Sequence, residues 1–483
     1  LRARAVVATF VIAAPFAAAA RAQEPGGPPA GETHATVRNW TRVESWHFFE
    51  PPAEGGDHEY TYPVNRFQAI VRRSGPRLDI NGGLQYVQFA GLPRDAVGPG
   101  PLGLGAVYFS HAGHPNSHQL YLRYLNAQIK NVLPGVNVQV GRLPYSSGGE
   151  SSSGDPKIEA VKRLRVDARV VGEFDWSLYQ RAFDGVRVDV VRPRWSTTGV
   201  AFHPTQGGFE DAAGLMMPGV TVLGANVTLK PGTPVARTEW QVFTFRYLDD
   251  RRVSARPDNS GRAADAAHLA INTFGTTLVT ASSPRNGRQW DAVLWIAGQS
   301  GSWYEQTHRA LSVAAEAGHQ WSDAPWRPWL RAGFLHASGD EAPQDDRHGT
   351  FFQMLPTVRR YAQTAAYSQM NVNEIFVQTL LRPSPSLAVR LDVHRVDLAS
   401  ARDLWYSGSG ATQQRGTQFG FAGRPSSGAV GLGTTVEAAA DYALTRHWSL
   451  NGFVGVMRGG TVVRRTFAGS TMTFAYVENV LQF

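Results

Sequence analysis

Short runs in which apolar and polar residues alternate recur along most of the chain, at 136–141, 161–171, 184–191, 239–248, 291–297, 375–381, 387–393 and 448–456. A period of two sends successive side chains to opposite faces, so each run predicts a strand with one apolar face. Clusters of Gly, Pro, Ser, Asn and Asp separate the runs. Tight turns are expected at Asn81-Gly82-Gly83, Pro134-Gly135 and Pro383-Ser384-Pro385-Ser386. Longer polar stretches at 91–117, 144–158, 203–219, 249–264, 338–350 and 405–430 read as loops. No long 3.6-residue pattern and no linker divides the chain. Short turns alternating with long loops are the asymmetry of an all-β transmembrane antiparallel barrel, with short periplasmic turns and long extracellular loops.

The run at 163–170 shows the parity most clearly. Leu164, Val166, Ala168 and Val170 share one face; Arg163, Arg165, Asp167 and Arg169 share the other. Two further runs repeat the arrangement, with Arg187 and Asp189, then Arg390 and Asp392, on the polar face. An Arg facing lipid at mid-membrane costs about 2–4 kcal/mol, so in a barrel these charges must face the lumen. A soluble half-buried sheet would alternate in the same way, and the chain ends separate the two cases. At the start, Arg2 and Arg4 precede an apolar run to Ala20, and Ala20-Arg21-Ala22 offers small residues for cleavage. Residues 1–22 therefore read as a signal peptide, with residues 23–483 as the exported barrel. At the other end, a strand-like stretch runs from Thr473 to Phe483. Counting back in twos from Phe483 gives Leu481, Asn479, Val477 and Ala475, an apolar face interrupted at Asn479. Phe483 is expected to serve as an assembly signal on a last strand that closes the sheet, and the barrel assembly machinery is the expected partner for that step.

Composition agrees. Mean hydropathy is -0.26, too polar for a helical membrane protein and ordinary for a barrel. The 50 glycines suit many turns. The chain has no cysteine, which removes disulfides, thiolate metal sites and cysteine nucleophiles. Formal net charge is +8 and almost all of it is arginine, with Lys only at positions 130, 157, 162 and 230.

Other chemistry is sparse. His111, His114 and His118 have metal-like spacing, but they sit in a Gly/Pro-rich loop; a solvated loop is the competing reading. Asp340-Glu341 and Asp345-Asp346, with His348 beside them, could hold calcium through oxygen ligands, or form an acidic loop tip. There is no Gly-x-Ser-x-Gly elbow and no phosphate loop. Neither metal nor cofactor is expected, and no catalytic residue is assigned. Arginines interleaved with aspartates, rather than gathered in a basic tract, argue against nucleic acid.

Gly141-Arg142-Leu143-Pro144-Tyr145, Arg181-Ala182-Phe183-Asp184-Gly185-Val186-Arg187, Ala337-Ser338-Gly339-Asp340, His348-Gly349-Thr350-Phe351 and Leu355-Pro356-Thr357 resemble, in order and spacing, the alginate export family of outer-membrane porins. The resemblance implies a monomeric barrel of about 18 antiparallel strands in the bacterial outer membrane. It also implies a narrow, arginine-rich lumen that passes an anionic polysaccharide or another anionic solute. Arg181 and Arg187 lie on the matching motif; Arg163, Arg165, Arg169 and Arg390 join them by strand parity, with Asp167 and Asp189 interspersed. Such a ring would concentrate anions and repel cations. The alternatives are that the Arg–Asp pairs are only cross-strand ladders, that the barrel is a general or small-solute porin, or that it is an outer-membrane hydrolase.

Overall fold

The structure, a computed structural model, describes residues 31–53, 55–98, 104–210, 212–233, 235–263, 266–357, 359 and 361–483. The expected signal peptide at 1–22 lies outside them. The first strands are β1 (Thr33–His47), β2 (Glu59–Ser74), β3 (Leu78–Phe89), β4 (His118–Leu133), β5 (Val136–Leu143) and β6 (Phe183–Val191). Next come β7 (Trp195–Pro204), β8 (Val220–Leu229), β9 (Thr238–Asp249), β10 (Leu269–Ala281), β11 (Arg288–Trp303) and β12 (Gln306–Trp321). The last six are β13 (Trp329–Ala337), β14 (Val372–Ser384), β15 (Leu387–Asp397), β16 (Gly431–Ala443), β17 (Trp448–Gly459) and β18 (Thr471–Gln482). Each pairs antiparallel with the next, and β18 pairs with β1, so these 18 strands close into one barrel.

The seam is fully bonded. Its register runs from Arg38 opposite Gln482 to His47 opposite Thr473. Phe483 extends it by one residue: it and Val37 exchange both backbone N–H···O bonds at 2.9 Å. Connections at this rim are short, such as 134–135 and 385–386, whereas those at the opposite rim include 90–117, 144–182, 338–371 and 398–430. Outward side chains such as Leu120, Phe274, Ile375 and Val477 are exposed and apolar. Asn479, the interruption on the outward face of β18, is bonded by Trp448 Nε1 at 2.6 Å.

The inside departs from a simple polar lumen. Long connections fold inward and pack a hydrophobic core within the wall, with Phe351, Phe352, Leu355, Trp405 and Phe421 from connections meeting Phe89, Phe202, Phe245 and Trp303 from strands. Short helices α1 (Leu104–Ala112), α2 (Pro156–Arg165) and α3 (Thr461–Thr466) all lie in such connections.

Three expectations are corrected. Residues 161–171 are not a wall strand. They belong to α2 and the turns after it, inside the barrel. Asp155 caps the helix by accepting from the N–H groups of Lys157 and Ile158, Pro156 stands at its first position, and basic residues fill the last turn. Ala168 has φ +62°, outside the extended region of a regular strand. Val166, Ala168 and Val170 are therefore buried in protein rather than facing lipid, and Leu164 is half-buried. Second, Asn81-Gly82-Gly83 lies within β3, where Gly83 begins a register shift against β4 instead of a turn. Third, the sequence offers Trp326 with Trp329, and Trp448 near Tyr442, as pairs that could form interface girdles; Trp448 and Tyr442 are exposed, but Trp329 turns into the lumen while Trp326 stays outside.

The Phe483 ring stacks on His447 at 5.2 Å and is otherwise exposed. Phe483→Ser keeps the backbone bonds to Val37 and should still lower the yield of folded, heat-modifiable barrel in outer-membrane fractions. Gel mobility with and without boiling reads this, and an unchanged yield would show that the ring is dispensable.

Candidate functional site: the loop-filled lumen

The connection 144–182 crosses the lumen and is held on both sides. On one wall, α2 docks through charges. Asp155 pairs with Arg237 at 2.7 Å. Lys157 lies 3.5 Å over the Trp329 ring and reaches Asp291 at 3.2 Å and Gln320 at 2.7 Å. Lys162 pairs with Glu239 at 2.8 Å. Arg165 meets Glu316 at 2.7 Å, and Arg169 reaches the same carboxylate at 3.4 Å. Arg331, on β13, bridges Asp291 and Glu316. Beneath the charges, Ile158 and Val161 pack on Val279, Val293 and Leu380. Spacing of 3.6 residues puts these two apolar side chains and Arg165 on the wall side of the helix.

On the opposite wall, donors on β1–β4 catch the carbonyls of 175–181. Arg42 donates to Trp176 O at 3.3 Å; Arg66 donates to Asp175 O at 3.4 Å and Ser177 O at 3.3 Å. Gln85 reaches Leu178 O at 3.0 Å, the Tyr121 hydroxyl donates to Tyr179 O at 2.5 Å, and Arg123 donates to Arg181 O. Arg123 and Tyr124 also both bond Glu173 at 2.6 Å. A chain crossing a barrel interior must have its backbone acceptors satisfied, and the wall arginines do this.

The sequence-predicted residues are thus distributed, not gathered into one ring. Arg165 and Arg169 converge on Glu316 from the inserted segment rather than from a strand. Arg163 is half-buried at the end of α2, and Asp167, beyond the helix, bonds the Ser146 hydroxyl. Arg181 donates to Ser409 O at 2.7 Å, joining two inward connections. Arg187 and Asp189 do face the lumen from β6, paired at 2.8 Å, and Arg187 also holds Glu150 O at 2.9 Å. Arg390 faces inward from β15, bonded to Asp392 and to Tyr361 O at 3.1 Å. Of the loop histidines, His111 turns to Glu210 at 2.8 Å while His114 and His118 are exposed. Asp340 accepts from the N–H groups of Ala342 and Gly349, Asp345 and Asp346 are exposed, and His348 is buried against His308 at 2.9 Å.

A second set of residues forms a ladder of alternating cations and aromatic rings. Arg38, Arg42 and Arg66 lie 5.4, 4.7 and 3.6 Å over the Trp40 ring. Arg42 is also 4.6 Å from the Trp176 ring, and Arg359 lies 3.8 Å from it. Glu44 and Glu478 flank Arg42 at 3.0 and 3.4 Å. All three side-chain nitrogens of Arg359, Nε of Arg38 and Nε of Arg42 are buried without a hydrogen-bond partner. Burial lowers Arg359 to about 10, which leaves it charged at neutral pH. Sequence reasoning missed this ladder. Its signal was present: Arg38, Trp40, Arg42 and Glu44 alternate through β1, but Asn39 and Thr41 on the outward face are polar and obscure the parity.

Ladder and inserted segment together can bind and orient anions, since guanidinium forks match carboxylates and ring faces hold the guanidinium planes. At the short-turn rim, His34 and Arg72 have lumen parity and are exposed, whereas deeper in, Arg42, Arg66, Arg123, Arg165 and Arg181 are fully buried. The structure therefore shows a lumen that is constricted by its own connections.

Comparison with known proteins agrees with this architecture. Among solved structures, the chain is similar to OccK3 (OpdO) of Pseudomonas aeruginosa, at 11% identity and TM-score 0.55 over 94% of this chain and 96% of that one. It is similar to OccK2 (OpdF) of the same organism in complex with glucuronate, at 8% identity and TM-score 0.57 over 94% and 98%. OccAB2 of Acinetobacter baumannii gives 8% identity and TM-score 0.58 over 93% and 98%. These likenesses show the shared fold. No curated protein matches the chain. The family model for alginate export matches residues 117–478. With a closed barrel, an apolar outer surface and this match in hand, the chain belongs to the alginate export family and is an outer-membrane channel.

Proposed function

We propose that the channel passes an alginate-like anionic polysaccharide, and that the segment 144–182 must shift for it to pass. The cation–aromatic ladder from Arg38 to Arg359 carries this reading, because it sets several unfilled guanidinium nitrogens between the β1 wall and the inward connection 338–371. Carboxylates are stronger acceptors for Arg than carbonyls are, and they bind in a planar fork. A polymer with a carboxylate on every sugar can thus replace the carbonyls of 175–181 one after another, with each wall arginine exchanging one acceptor for a better one. Acids beside the ladder, Glu44 and Glu478, keep each site weak, and conduction requires several weak sites rather than one tight site. Arg187 with Asp189, and Arg390 with Asp392, offer the same combination elsewhere on the wall.

A second reading is a porin for small anionic solutes. The solved neighbour that binds glucuronate, a single uronate, supports it, as does the narrowness of the lumen. Both readings share the arginine chemistry and differ in the size of the cargo. Family and fold favour either over a hydrolase.

The open channel should prefer anions. Arg359→Ser and Arg187→Ser should each reduce that preference, and the loss should shrink at high salt through screening. Exposed Arg347→Ser serves as the control; Arg256 does not, because it braces Asp258 and Glu305 at 2.9 Å each. Reversal potentials under a salt gradient measure this, and a cation-selective channel would remove the arginine mechanism.

Glu316→Gln should loosen the α2 dock. Removing one partner from a buried charge cluster costs about 3–5 kcal/mol, and here the loss falls on Arg165, Arg169 and Arg331 at once. Single-channel conductance in a planar bilayer should rise while heat-modifiability persists, because the strand ladder does not depend on Glu316. Unchanged conductance would show that 144–182 does not obstruct the path.

A further inference from the structure

The walls of β14, β15 and β16 carry a buried cluster outside the arginine ladder. Glu374 comes from β14, Asp392 and His394 from β15, and Glu437 from β16. The His394 ring bonds Glu374 Oε1 through Nδ1 at 2.6 Å. A carboxylate only accepts, so Nδ1 carries a proton and Nε2 is the ring nitrogen turned to the other two acids. Nε2 lies 3.9 Å from Asp392 Oδ2 and 4.0 Å from Glu437 Oε2, beyond hydrogen-bond reach, so a proton there would have no acceptor. Nε2 of His394 and Oδ1 of Asp392 have no hydrogen-bond partner, and both side chains are buried. Gln378, directly across the ladder from Asp392, is fully buried with neither amide atom bonded. The two acids are also held by protein donors: Arg390 donates to Asp392 Oδ2, Gln363 N–H donates to Glu437 Oε2 at 2.9 Å, and Thr364 donates to Glu437 Oε1 through its N–H at 2.8 Å and its hydroxyl.

Two buried carboxylates and an imidazole nitrogen converge here with no hydrogen bond joining them, an arrangement that a cation seated between them would satisfy. We propose that His394, Asp392 and Glu437 bind a first-row divalent cation of the Zn²⁺ type, with Glu374 as the positioning residue that orients the imidazole. Ligand atoms held about 2.0–2.2 Å from a zinc ion stand roughly 3–3.5 Å apart, so gaps of 3.9 and 4.0 Å close with a small side-chain movement. The imidazole nitrogen selects such a cation over calcium, which takes six to eight oxygens. A carboxylate behind a ligating histidine is the usual way its tautomer is set. The site would also act on the lumen. Glu437 holds the backbone of 363–364, and Asp392 holds Arg390, which holds Tyr361 O. An ion here therefore fastens the inward connection 338–371 to the wall.

The test uses full-length, tag-free barrel stripped with chelator and titrated with Zn²⁺ by calorimetry, with bound metal counted after dialysis. A His58→Ala background removes the exposed group of His47, His58 and Glu59, which offers competing ligands. One tightly held Zn²⁺ per chain is expected. His394→Gln should abolish it, and Glu374→Gln should weaken it about 10–100-fold. Heat-modifiability checks that each variant folds; if His394→Gln does not, Glu437→Gln takes its place. No stoichiometric uptake by the parent barrel would mean that a proton on His394 balances the carboxylates instead, which overturns the proposal. Uptake that survives these substitutions would overturn it equally.

Discussion

Inside a bilayer a backbone amide has no water to bond, and this requirement governs the whole structure. Strands satisfy it only if every one has a neighbour on both sides, so the sheet must close. Here closure is the pairing of β1 with β18, carried to the final residue by the bonds between Phe483 and Val37. Once the wall is closed, the side-chain period of two assigns every residue to lipid or to lumen. Polar groups on the lipid face then have to find each other, as Trp448 and Asn479 do.

The same requirement passes inward. Connections that enter the lumen bring backbone carbonyls out of water, and charges on the wall lose their solvent when those connections arrive. Each solves the other's problem. Arg42, Arg66 and Arg123 gain acceptors from 175–181, while Glu316 and Asp291 gain Arg165 and Lys157 from α2. Under the proposed function, an anionic cargo competes with the inserted segment for the same donors and so can replace it. An apolar plug would have no such competitor. Trp40, on the wall, keeps Arg42 and Arg66 against its ring independently of the acceptor each one meets.

Much of the wall was legible in the sequence. Alternation at 136–141, 184–191, 239–248 and 387–393 corresponds to β5, β6, β9 and β15, and parity correctly turned Arg187 and Arg390 inward. It worked in β5, β6 and β15 because these strands meet lipid on one face and mostly polar groups on the other. It failed where that contrast is lost. At the long-loop rim both faces are apolar, because Phe202, Phe245 and Trp303 pack against inward connections. In β1 the outward face carries Asn39 and Thr41. At 161–171 two periods compete over a short stretch, and the Asp155 cap, Pro156 and docking on the wall select the helix.

By itself, then, the sequence determined what is local: the period of the strands, the turns at Pro134-Gly135 and 385–386, and the outward face of Phe483. Tertiary structure alone decided which side chains meet. Arg359 reaches Trp176 across nearly two hundred residues, Arg165 reaches Glu316 across a similar span, and His394 meets Glu374 and Glu437 only because β14, β15 and β16 lie side by side. Periodicity is a property of neighbours along the chain. A binding site is a property of neighbours in space, and in a barrel filled by its own connections those are chosen by closure and by the burial of charge.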